Sequence, residues 1–349
     1  MNGFFMIRTK AVGLLSGGLD STLAAKVLID QGIDVHAINF VSPFCTCTPK
    51  SAGCASVLTA IRQLGDIPLK RIALGDEYLE MVRNPKHGYG RGMNPCIDCR
   101  IMKIRKAAEY MREIGAQFLF TGEVLGQRPM SQHRRAIEII DRESGVADVI
   151  LRPLSARVLP VTAPERNGWV NRDSLLAISG RSRKPQIALA SQKGINDYRC
   201  PAGGCLLTDA NFSMRLRDYF EHIDTPSCAD IPILKTGRHF RLDNGDKVIV
   251  ARDEQEGVRL LQLRREGSTV LAPCNFSAPV VILEGTDEAS AFKKLREFTK
   301  RTIAHDAMIR IAGAEGEVRT PVLEYQNKLE MRMTGGERNI SAGPAGPLQ

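Results

Sequence analysis

The sequence predicts an α/β fold organised around a doubly wound, mostly parallel sheet. The first indication is an apolar strand at residues 11–15 that leads directly into Ser16-Gly17-Gly18-Leu19-Asp20-Ser21 and then into a helical apolar pattern. The second is that strand and helix patterns keep alternating up to residue 121, which favours parallel strands joined by crossover helices. Ligands of such a sheet bind beyond the carboxyl ends of its strands, and residues 16–21 lie at such an end.

Each further element is predicted from its own apolar period or from turn residues at its ends. Strands are predicted at residues 35–40, 69–74, 117–121, 237–242 and 247–252. Helices are predicted at residues 54–64, 98–114, 172–178, 185–194, 212–222 and 287–304. Asp243-Asn244-Gly245 lies between the last two strands and predicts a β-hairpin.

These elements divide the chain into segments, and its 349 residues are enough for two or three separate cores. Residues 1–160 are predicted to form the nucleotide-binding α/β domain, and residues 161–228 a helical region that carries the second cysteine group. Residues 229–334 are predicted to form a small α+β domain. Residues 335–349 are rich in Gly, Pro and Ser and are predicted to be disordered.

The turn at residues 16–21 has the composition of a pyrophosphate cradle. Gly17 and Gly18 let backbone N–H groups converge on an anion, and the positive end of the following helix points at that anion. A Walker A loop would need Gly-Lys-Ser/Thr after a four-residue spacer, and this turn contains no lysine. A dinucleotide fingerprint would need a third glycine, but Thr22 and Ala24 occupy that region. The pattern Ser-Gly-Gly-x-Asp-Ser resembles the loop of ATP pyrophosphatases, which cleave ATP between its α and β phosphates.

Composition and charge restrict the partner and the compartment. No apolar stretch approaches the roughly 20 residues of a membrane span, so no membrane partner is expected. The first ten residues are too short for a signal peptide, and a cytoplasmic location is therefore expected. A net charge of +9 favours a polyanionic partner. Ordinary solubility charge is the alternative, and the charge alone does not separate the two.

Nine cysteines occur in the chain, and most of them are grouped. In a reducing compartment such groups indicate metal or sulfur chemistry instead of a disulfide framework. The groups are Cys45, Cys47 and Cys54, then Cys96 and Cys99, then Cys200 and Cys205, whereas Cys228 and Cys274 stand alone and are predicted to be core thiols. The first group follows a predicted strand, where it could bind a second metal, relay a persulfide or have no role.

Cys96 and Cys99 form a Cys-x-x-Cys motif at the start of a predicted helix. The helix dipole is expected to lower the pKa of a thiol there and to favour a thiolate ligand or nucleophile. Together with Cys200 and Cys205 the motif allows a closed, four-thiolate zinc site. It equally allows three thiolates that hold a 4Fe–4S cluster with one iron open, and it fits a redox dithiol. Spacing alone leaves these alternatives open.

Residues 122–132 follow the predicted strand at 117–121 and are expected to line the active crevice. Gly122 is expected to adjoin the nucleotide, Arg128 to bind a phosphate and Gln132 to bind a base edge. Basic residues near the cysteines are candidate contacts to a nucleic acid: Arg100, Lys103, His133, Arg134, Arg135, Arg181, Arg183 and Lys184. Each alone is an ordinary surface charge, but their joint placement favours RNA.

The turn at residues 16–21, with Cys99 and Cys205, resembles the PP-loop tRNA sulfurtransferases, in particular the MnmA-type 2-thiouridylases. In that family one cysteine opens a helix after an Asn-Pro turn, as after Asn94-Pro95 here, and a second cysteine precedes an apolar pair, as before Leu206-Leu207. The similarity covers roughly residues 8–220.

The chain departs from the MnmA pattern at two places. Cys96 stands where that family has an aspartate, and it makes the cysteine site resemble that of the iron–sulfur thiolases TtcA and TtuA. The C-terminal β-barrel signature is missing, and residues 237–241 and 248–256 instead resemble the RNA-binding module of NFACT proteins.

These resemblances imply a reaction on tRNA. A carbonyl oxygen of a base, with uridine preferred, would be adenylated by ATP, and sulfur would then displace AMP. The resemblances imply that Ser16, Gly17, Gly18, Asp20 and Ser21 bind ATP, with Asp20 also beside Mg²⁺, and that Asp20, Cys99 and Cys205 are catalytic. Gly122 and Arg128 are added to the ATP site because they follow a strand end.

The sulfur would be a hydrosulfide on the open iron of a 4Fe–4S cluster held by Cys96, Cys99 and Cys205. The alternatives are a persulfide on Cys205 that Cys99 resolves, with no metal, and a structural Zn²⁺. A sulfur donor is also implied, which would be a cysteine desulfurase, a sulfur carrier or inorganic sulfide. Two rival functions remain, an ATP pyrophosphatase that acts on a small metabolite and a non-catalytic RNA-binding factor.

Overall fold

The computed structural model describes residues 8–45, 53–198, 205–314 and 316–333, without the side chains of residues 53–55. The chain divides into two compact units, Met1–Cys228 and Ala229–Gln349. Cys47, Cys200, Gly203, Gly204 and the tail predicted to be disordered lie outside the described residues. In the described part of the chain, no helix is both long enough and apolar enough to cross a membrane.

The first unit is built on a parallel sheet whose strand order is β3-β2-β1-β4-β5. Its strands are β1 Lys10–Leu14, β2 Asp34–Val41, β3 Leu69–Ala73, β4 Phe118–Thr121 and β5 Ile150–Leu151. Every neighbouring pair is parallel, with Ala11 of β1 aligned to Val35 of β2 and to Phe118 of β4. Because the order reverses at β1, the ends of β1 and β4 form the switch point at which ligands bind. The predicted doubly wound α/β fold is confirmed.

Helices cover both faces of this sheet. They are α1 Leu19–Ile29, α2 Gly53–Gln63, α3 Asp76–Arg83, α4 Cys96–Glu113, α5 Arg134–Ser144, α6 Ala163–Arg166, α7 Lys184–Gln192 and α8 Ala210–His222. Ala11 of β1 joins a core with side chains of α1, α2 and α7, whereas Val12 and Leu14 join a core with α4 and α5. This alternation is the period of two that places neighbouring strand residues on opposite faces.

One predicted helix of this unit is wrong, and some of the helices that form were not predicted. The helix predicted at residues 172–178 is only a 3₁₀ turn, Arg172–Ser174, because the N–H groups of Leu176 and Ile178 donate to the carbonyls of Pro153 and Leu154. These contacts pull the segment into an extended form that no local pattern specifies. Helices α3 and α5 were not predicted, although Ile137 and Ile140 of α5 have helical spacing and are buried.

The second unit contains a six-stranded antiparallel sheet in the order β11-β10-β8-β9-β7-β6. Its strands are β6 Arg238–Arg241, β7 Lys247–Val250, β8 Thr269–Pro273, β9 Val281–Glu284, β10 Met308–Gly313 and β11 Gly316–Pro321. Its helices are α9 Ile231–Leu234, α10 Glu254–Leu263, α11 Glu288–Glu297 and α12 Val322–Met333. Helices α11 and α12 cover one face, and α9 and α10 cover the other.

The predicted hairpin joins β6 to β7, with Gly245 at φ +90° in its turn. The basic helix predicted at residues 287–304 ends at Glu297, because Phe298 turns to pack against Phe240. Cys274 is exposed and is therefore not the core thiol that the sequence predicts.

Candidate active site

The turn between β1 and α1 forms an open backbone cradle at the switch point of the sheet. Gly17 has φ +75°, and a Cβ at this position would lie 2.5 Å from the backbone of Ser56 and Val57. Gly122 follows β4, and a Cβ there would lie 2.5 Å from the backbone nitrogen of Ser21. Both positions therefore need glycine: Gly17 lets the loop after β1 approach α2, and Gly122 lets the loop after β4 approach the start of α1.

Serine hydroxyls hold the cradle in shape. Ser21 Oγ donates to the carbonyl oxygen of Gly18 at 3.0 Å and accepts from the backbone N–H of Ser16 at 3.3 Å. The hydroxyls of Ser16 and Ser21 are 3.1 Å apart. The loop residues predicted to bind ATP are thus assembled at the start of α1, where backbone N–H groups attract anions.

Asp20 lies in the first turn of α1 and is held by one oxygen only. Oδ2 accepts from Gln127 Nε2 at 2.8 Å and from Arg183 Nη2 at 3.2 Å. Oδ1 is buried and has no hydrogen-bond partner among the described residues. A buried carboxylate oxygen without a donor is costly unless a ligand satisfies it. This oxygen therefore fits a magnesium ion, which prefers one or two carboxylates together with phosphate oxygens.

Three cysteines of the sequence prediction approach one another at the start of α4. Cys96 is the first residue of α4, Cys99 lies one turn later, and Cys205 precedes a 3₁₀ turn at Leu206–Thr208. We call Cys96, Cys99 and Cys205 the thiol group. Each of the other two thiols acts on the pKa of Cys205, so the three lie within electrostatic range of one another.

Two contacts fix the surroundings of the thiol group. The buried phenol of Tyr78 donates to Cys99 Sγ at 3.3 Å. The backbone N–H of Leu206 donates to the carbonyl of Phe44 at 3.2 Å, and Cys45 follows Phe44. Cys45 thereby comes close enough to affect the pKa of Tyr78, whereas the side chain of Cys54 is outside the described residues.

Two thiols of the thiol group, Cys96 and Cys205, have raised pKa values. Burial, reinforced by the charge of Cys99, raises the pKa of the Cys96 thiol. Burial also raises the pKa of Cys205 to about 11, although an N–H from Leu207 and the charge of Lys103 oppose it. The expectation that the helix start lowers the pKa of Cys96 is wrong, because desolvation of the thiolate exceeds the effect of the dipole.

The fit of the thiol group to a metal depends on the kind of metal centre. Among residues 8–45, 53–198, 205–314 and 316–333, no group of three or more His, Cys, Asp or Glu is arranged to hold a single metal ion. One ion would draw its thiolates together at bond lengths of about 2.3 Å. A four-iron cluster does not need that spacing, because each thiolate binds a different iron. Cys96, Cys99 and Cys205 would be the residues of the thiol group that could bind such a cluster.

Arg128 connects the cradle to the thiol group. Its guanidinium interacts electrostatically with Asp20 on one side and with Cys96 on the other. Partial burial of the guanidinium and repulsion by the charges of Arg100 and Arg183 lower the pKa of Arg128. Part of the Arg128 side chain nevertheless remains accessible to solvent. Within the described residues its guanidinium makes no hydrogen bond or ion pair. Arg128 is therefore a cation that can accept an anionic ligand without breaking another contact.

A buried charge network that the sequence did not predict supports this region. Glu123 is 1% exposed, and its Oε2 accepts from Arg152 Nε at 3.0 Å, while its Oε1 lies 3.2 Å from Arg100 Nε. Arg152 in turn makes two hydrogen bonds to Asp141, of 2.9 and 2.6 Å. Burial opposes ionisation of Glu123, but the charges of Arg100 and Arg152 outweigh it and hold the pKa of this carboxyl below its ordinary value. The network fixes Arg100 directly beside Cys99.

We expect Glu123→Gln to lower the free energy of unfolding by about 3 kcal/mol at pH 7, because it leaves Arg100 without a counter-charge and leaves the buried Arg152 paired with Asp141 alone. A group with a lowered pKa contributes stability above its ordinary pKa and loses it as pH falls through its folded value. The difference between variant and wild type should therefore shrink below about pH 4. Denaturant unfolding of the variant and the wild type at pH 7 and below about pH 4 measures this difference. Glu138→Gln, at an exposed position of α5, is the control. An equal loss at both pH values would contradict the assigned charge.

The structure brings some predicted RNA contacts into the site and leaves others outside it. Arg183 is paired with Asp20, and Lys103 acts on the thiol group. The side chain of His133 accepts from Ala136 N and caps α5, so this residue has a structural role. The remaining exposed basic residues are Arg134, Arg135, Arg181 and Lys184. Gln132 is buried, and its Oε1 has no partner in the described part of the chain.

The parallel sheet, its switch point and the glycine-rich cradle define a PP-loop nucleotide-binding domain of the ATP pyrophosphatase type. Residues 6–157 match the family described as "Thiamine biosynthesis protein (ThiI)". Residues 237–319 match the family described as "NFACT protein RNA binding domain". Residues 6–157 are thus similar to the ThiI family and residues 237–319 to the NFACT RNA-binding family, which confirms the expected resemblance to PP-loop tRNA sulfurtransferases with a C-terminal NFACT-type module.

Curated relatives are tRNA thiolation enzymes. The chain is 26% identical over 225 residues to the tRNA-specific 2-thiouridylase MnmA of Dichelobacter nodosus, covering 60% of this chain and 55% of that protein. It is 31% identical over 148 residues to a probable tRNA sulfurtransferase of Thermoanaerobacter sp., covering 42% of this chain and 36% of that protein. The chain therefore spans about half the length, or less, of these relatives.

Solved structures show only distant similarity. A 4-thiouridine synthetase–RNA complex with bound ATP gives a TM-score of 0.36 at 20% identity, over 65% of this chain and 52% of that chain. The U34-tRNA thiolase NcsA from Methanococcus maripaludis, solved with its [4Fe-4S] cluster, gives 0.33 at 17% identity, over 61% of this chain and 65% of that chain. At these TM-scores neither structure supports an argument about activity.

Proposed function

We propose that this protein is an ATP-dependent tRNA sulfurtransferase that adenylates a base carbonyl oxygen, preferably of uridine, and replaces it with sulfur. The observation that carries the proposal is the position of Arg128, which interacts with Asp20 of the cradle and with Cys96 of the thiol group. Adenylation at the cradle and sulfur delivery from the thiols would then occur on either side of one cation. Both curated relatives are named for tRNA thiolation, which supports the same reaction.

The cradle would bind ATP through its backbone. The N–H groups around Gly17 and Gly18 and the start of α1 would bind the pyrophosphate, with Asp20 Oδ1 on the magnesium ion. Arg128 would contact the α phosphate, where negative charge develops when the base oxygen attacks. Pyrophosphate would leave, and the base would remain as an adenylate beside the thiol group.

The thiol group would hold a 4Fe–4S cluster through Cys96, Cys99 and Cys205. Such a cluster has one iron without a protein ligand and would supply a binding position for the incoming sulfide. Arg100 and Lys103 would offset the negative charge of the thiolates, and Tyr78 would donate to Cys99 Sγ. Here the chain itself orients the thiolates and places their positive neighbours.

The cluster-free alternative uses two of the same thiols. The terminal sulfur of a Cys205 persulfide would attack the activated carbon and displace AMP, giving a base–sulfur–sulfur–Cys205 adduct. Cys99 thiolate would then attack Cys205 Sγ, which forms the Cys99–Cys205 disulfide and releases the thiocarbonyl base. A dithiol reductant would restore both thiols for the next turnover.

The second unit would bind the tRNA. Its edge strand β6 carries Arg238 and Arg241, and Arg238 lies 4.9 Å from the ring of Phe298. Basic groups with adjacent aromatic rings suit phosphate and base contacts, and the net charge of +9 has the required sign. The sulfur donor would be a cysteine desulfurase, a sulfur carrier or inorganic sulfide. Because tRNA and reduced thiols occur together in the cytoplasm, we place the activity there.

We expect tRNA from a deletion strain to lack one thionucleoside, and purified protein with ATP, Mg²⁺ and sulfide to restore it. Mass spectrometry of digested tRNA measures this directly and identifies the base. An unchanged set of thionucleosides would contradict the proposal. ATP–pyrophosphate exchange without any dependence on RNA would favour the small-metabolite pyrophosphatase. Tight tRNA binding without exchange would favour the non-catalytic RNA-binding factor.

A further inference from the structure

Two glutamine side chains form a hydrogen-bonded chain that ends on Asp20. Gln127 Nε2 donates to Asp20 Oδ2 at 2.8 Å, and Gln186 Nε2 donates to Gln127 Oε1 at 2.9 Å. Gln186 is completely buried, with 0% of its surface exposed. An amide buried to this extent costs stability unless its hydrogen bonds are made.

The chemistry of Asp20 fixes the direction of this chain. An ionised carboxylate only accepts hydrogen bonds, so Gln127 must present its NH₂ group to Asp20. The amide oxygen of Gln127 then faces away from Asp20 and needs a donor. Gln186 supplies that donor, so its NH₂ group must face Gln127. The orientation of both amides is therefore determined by the single acceptor at the end of the chain.

The side chain of Gln186 retains an unsatisfied group. Its Oε1 is buried and has no hydrogen-bond partner among the residues that the structure describes. A leucine or methionine of similar size would fill this position without that cost. Packing alone therefore does not account for an amide here, whereas its donor group is needed by Gln127.

Gln186 belongs to α7, outside the segment 6–157 that matches the ThiI family. Arg183, immediately before α7, also binds Asp20 Oδ2, at 3.2 Å. Side chains of α7 pack in the same core as those of α1, the helix that carries Asp20. The α7 region thus acts on one oxygen of Asp20 in two ways, directly through Arg183 and indirectly through Gln186 and Gln127, and the other oxygen stays available.

We propose that Gln186 is a positioning residue of the nucleotide site. It holds Gln127 in the orientation that fixes Asp20 Oδ2, and it thereby directs Oδ1 toward the magnesium ion that accompanies ATP. Helix α7 is then part of the nucleotide site, which extends beyond the ThiI-matched domain. This inference rests on the proposed function only in that Asp20 binds Mg²⁺ with ATP.

Two substitutions of similar size test the donor role. Gln186→Glu keeps the shape but has no donor when ionised, and Gln186→Met removes the donor without adding charge. Both should raise the Mg²⁺ concentration for half-maximal ATP binding about 10-fold or more, as is usual when a supporting contact to a metal ligand is lost. At saturating Mg²⁺ the amount of ATP bound should approach that of the wild type. Calorimetric titration of the full chain with ATP at several Mg²⁺ concentrations measures both quantities.

Gln192→Glu places the same charge on an exposed site at the other end of α7 and should behave like the wild type. Gln127→Leu provides a second test at a half-buried position if the Gln186 variants do not fold, and it should show the same Mg²⁺ effect. Wild-type Mg²⁺ dependence in any folded variant of Gln127 or Gln186 would overturn the inference. Because ATP binding is measured without tRNA, failure of tRNA thiolation would affect only the proposed function.

Discussion

Asp20→Asn is expected to reduce ATP–pyrophosphate exchange and tRNA thiolation strongly while leaving tRNA binding intact. The substitution keeps the shape of the side chain but removes the charge of Oδ1, the buried oxygen without a partner that we assign to the magnesium ion. Stabilisation of developing charge by a metal ion is worth several kcal/mol, and each 1.4 kcal/mol changes the rate about tenfold. The rate should therefore fall by about 10²-fold or more. Initial rates of exchange with labelled pyrophosphate and the yield of thionucleoside are the two measurements.

A matched control lies on the same helix. Asp30 caps the C-terminus of α1 and pairs with Lys26 and Lys193 at the surface, so Asp30→Asn should leave both activities near their wild-type values. Affinity for tRNA should be equal in both variants, because neither removes a positive charge from the RNA-binding surface. Full exchange activity in Asp20→Asn would show that the cradle is not the site of adenylation.

Features that depend on neighbouring residues in the sequence were predictable. The cradle at residues 16–21 has a distinctive glycine pattern, and its position after an apolar strand defines the edge of the sheet where it lies. Helix α4 was expected at residues 98–114 and is found at Cys96–Glu113, because its apolar face repeats with helical spacing over five turns. The differences of two residues at the start and one at the end are typical, since end residues are only partly hydrogen bonded.

Features that depend on tertiary contacts were not predictable. Gln186 is far from Asp20 in the sequence, and no pattern identifies a buried amide that acts through a second amide. Glu123 follows β4 as an ordinary charged residue, and only the fold surrounds it with Arg100 and Arg152. The pKa of Cys96 was predicted from its place on a helix, but burial by segments distant in the sequence decides the direction of the shift.

Cys99→Ser and Cys205→Ser are expected to abolish thiolation without affecting ATP–pyrophosphate exchange. Both residues would act on sulfur after the base has been adenylated, and neither contacts the cradle in the described structure. These variants should lose thiolation and keep ATP–pyrophosphate exchange, whereas Asp20→Asn should impair both activities. Cys274→Ser, at an exposed position of the second unit, serves as the control. Loss of exchange in the Cys99 or Cys205 variant would mean that the thiols act before adenylation.

Cys96→Ser separates the two ways of delivering sulfur, because only the cluster requires a third thiolate. If the thiol group holds a 4Fe–4S cluster, this variant should lose bound iron and acid-labile sulfide under anaerobic purification, and it should lose thiolation together with them. If Cys205 carries a persulfide that Cys99 resolves, Cys96→Ser should thiolate tRNA at close to the wild-type rate, and neither protein should contain iron. Stoichiometric zinc in a colourless, anaerobically purified wild type would contradict the cluster. Iron, sulfide and zinc analysis alongside the thiolation assay therefore decides whether Cys96 takes part in sulfur delivery.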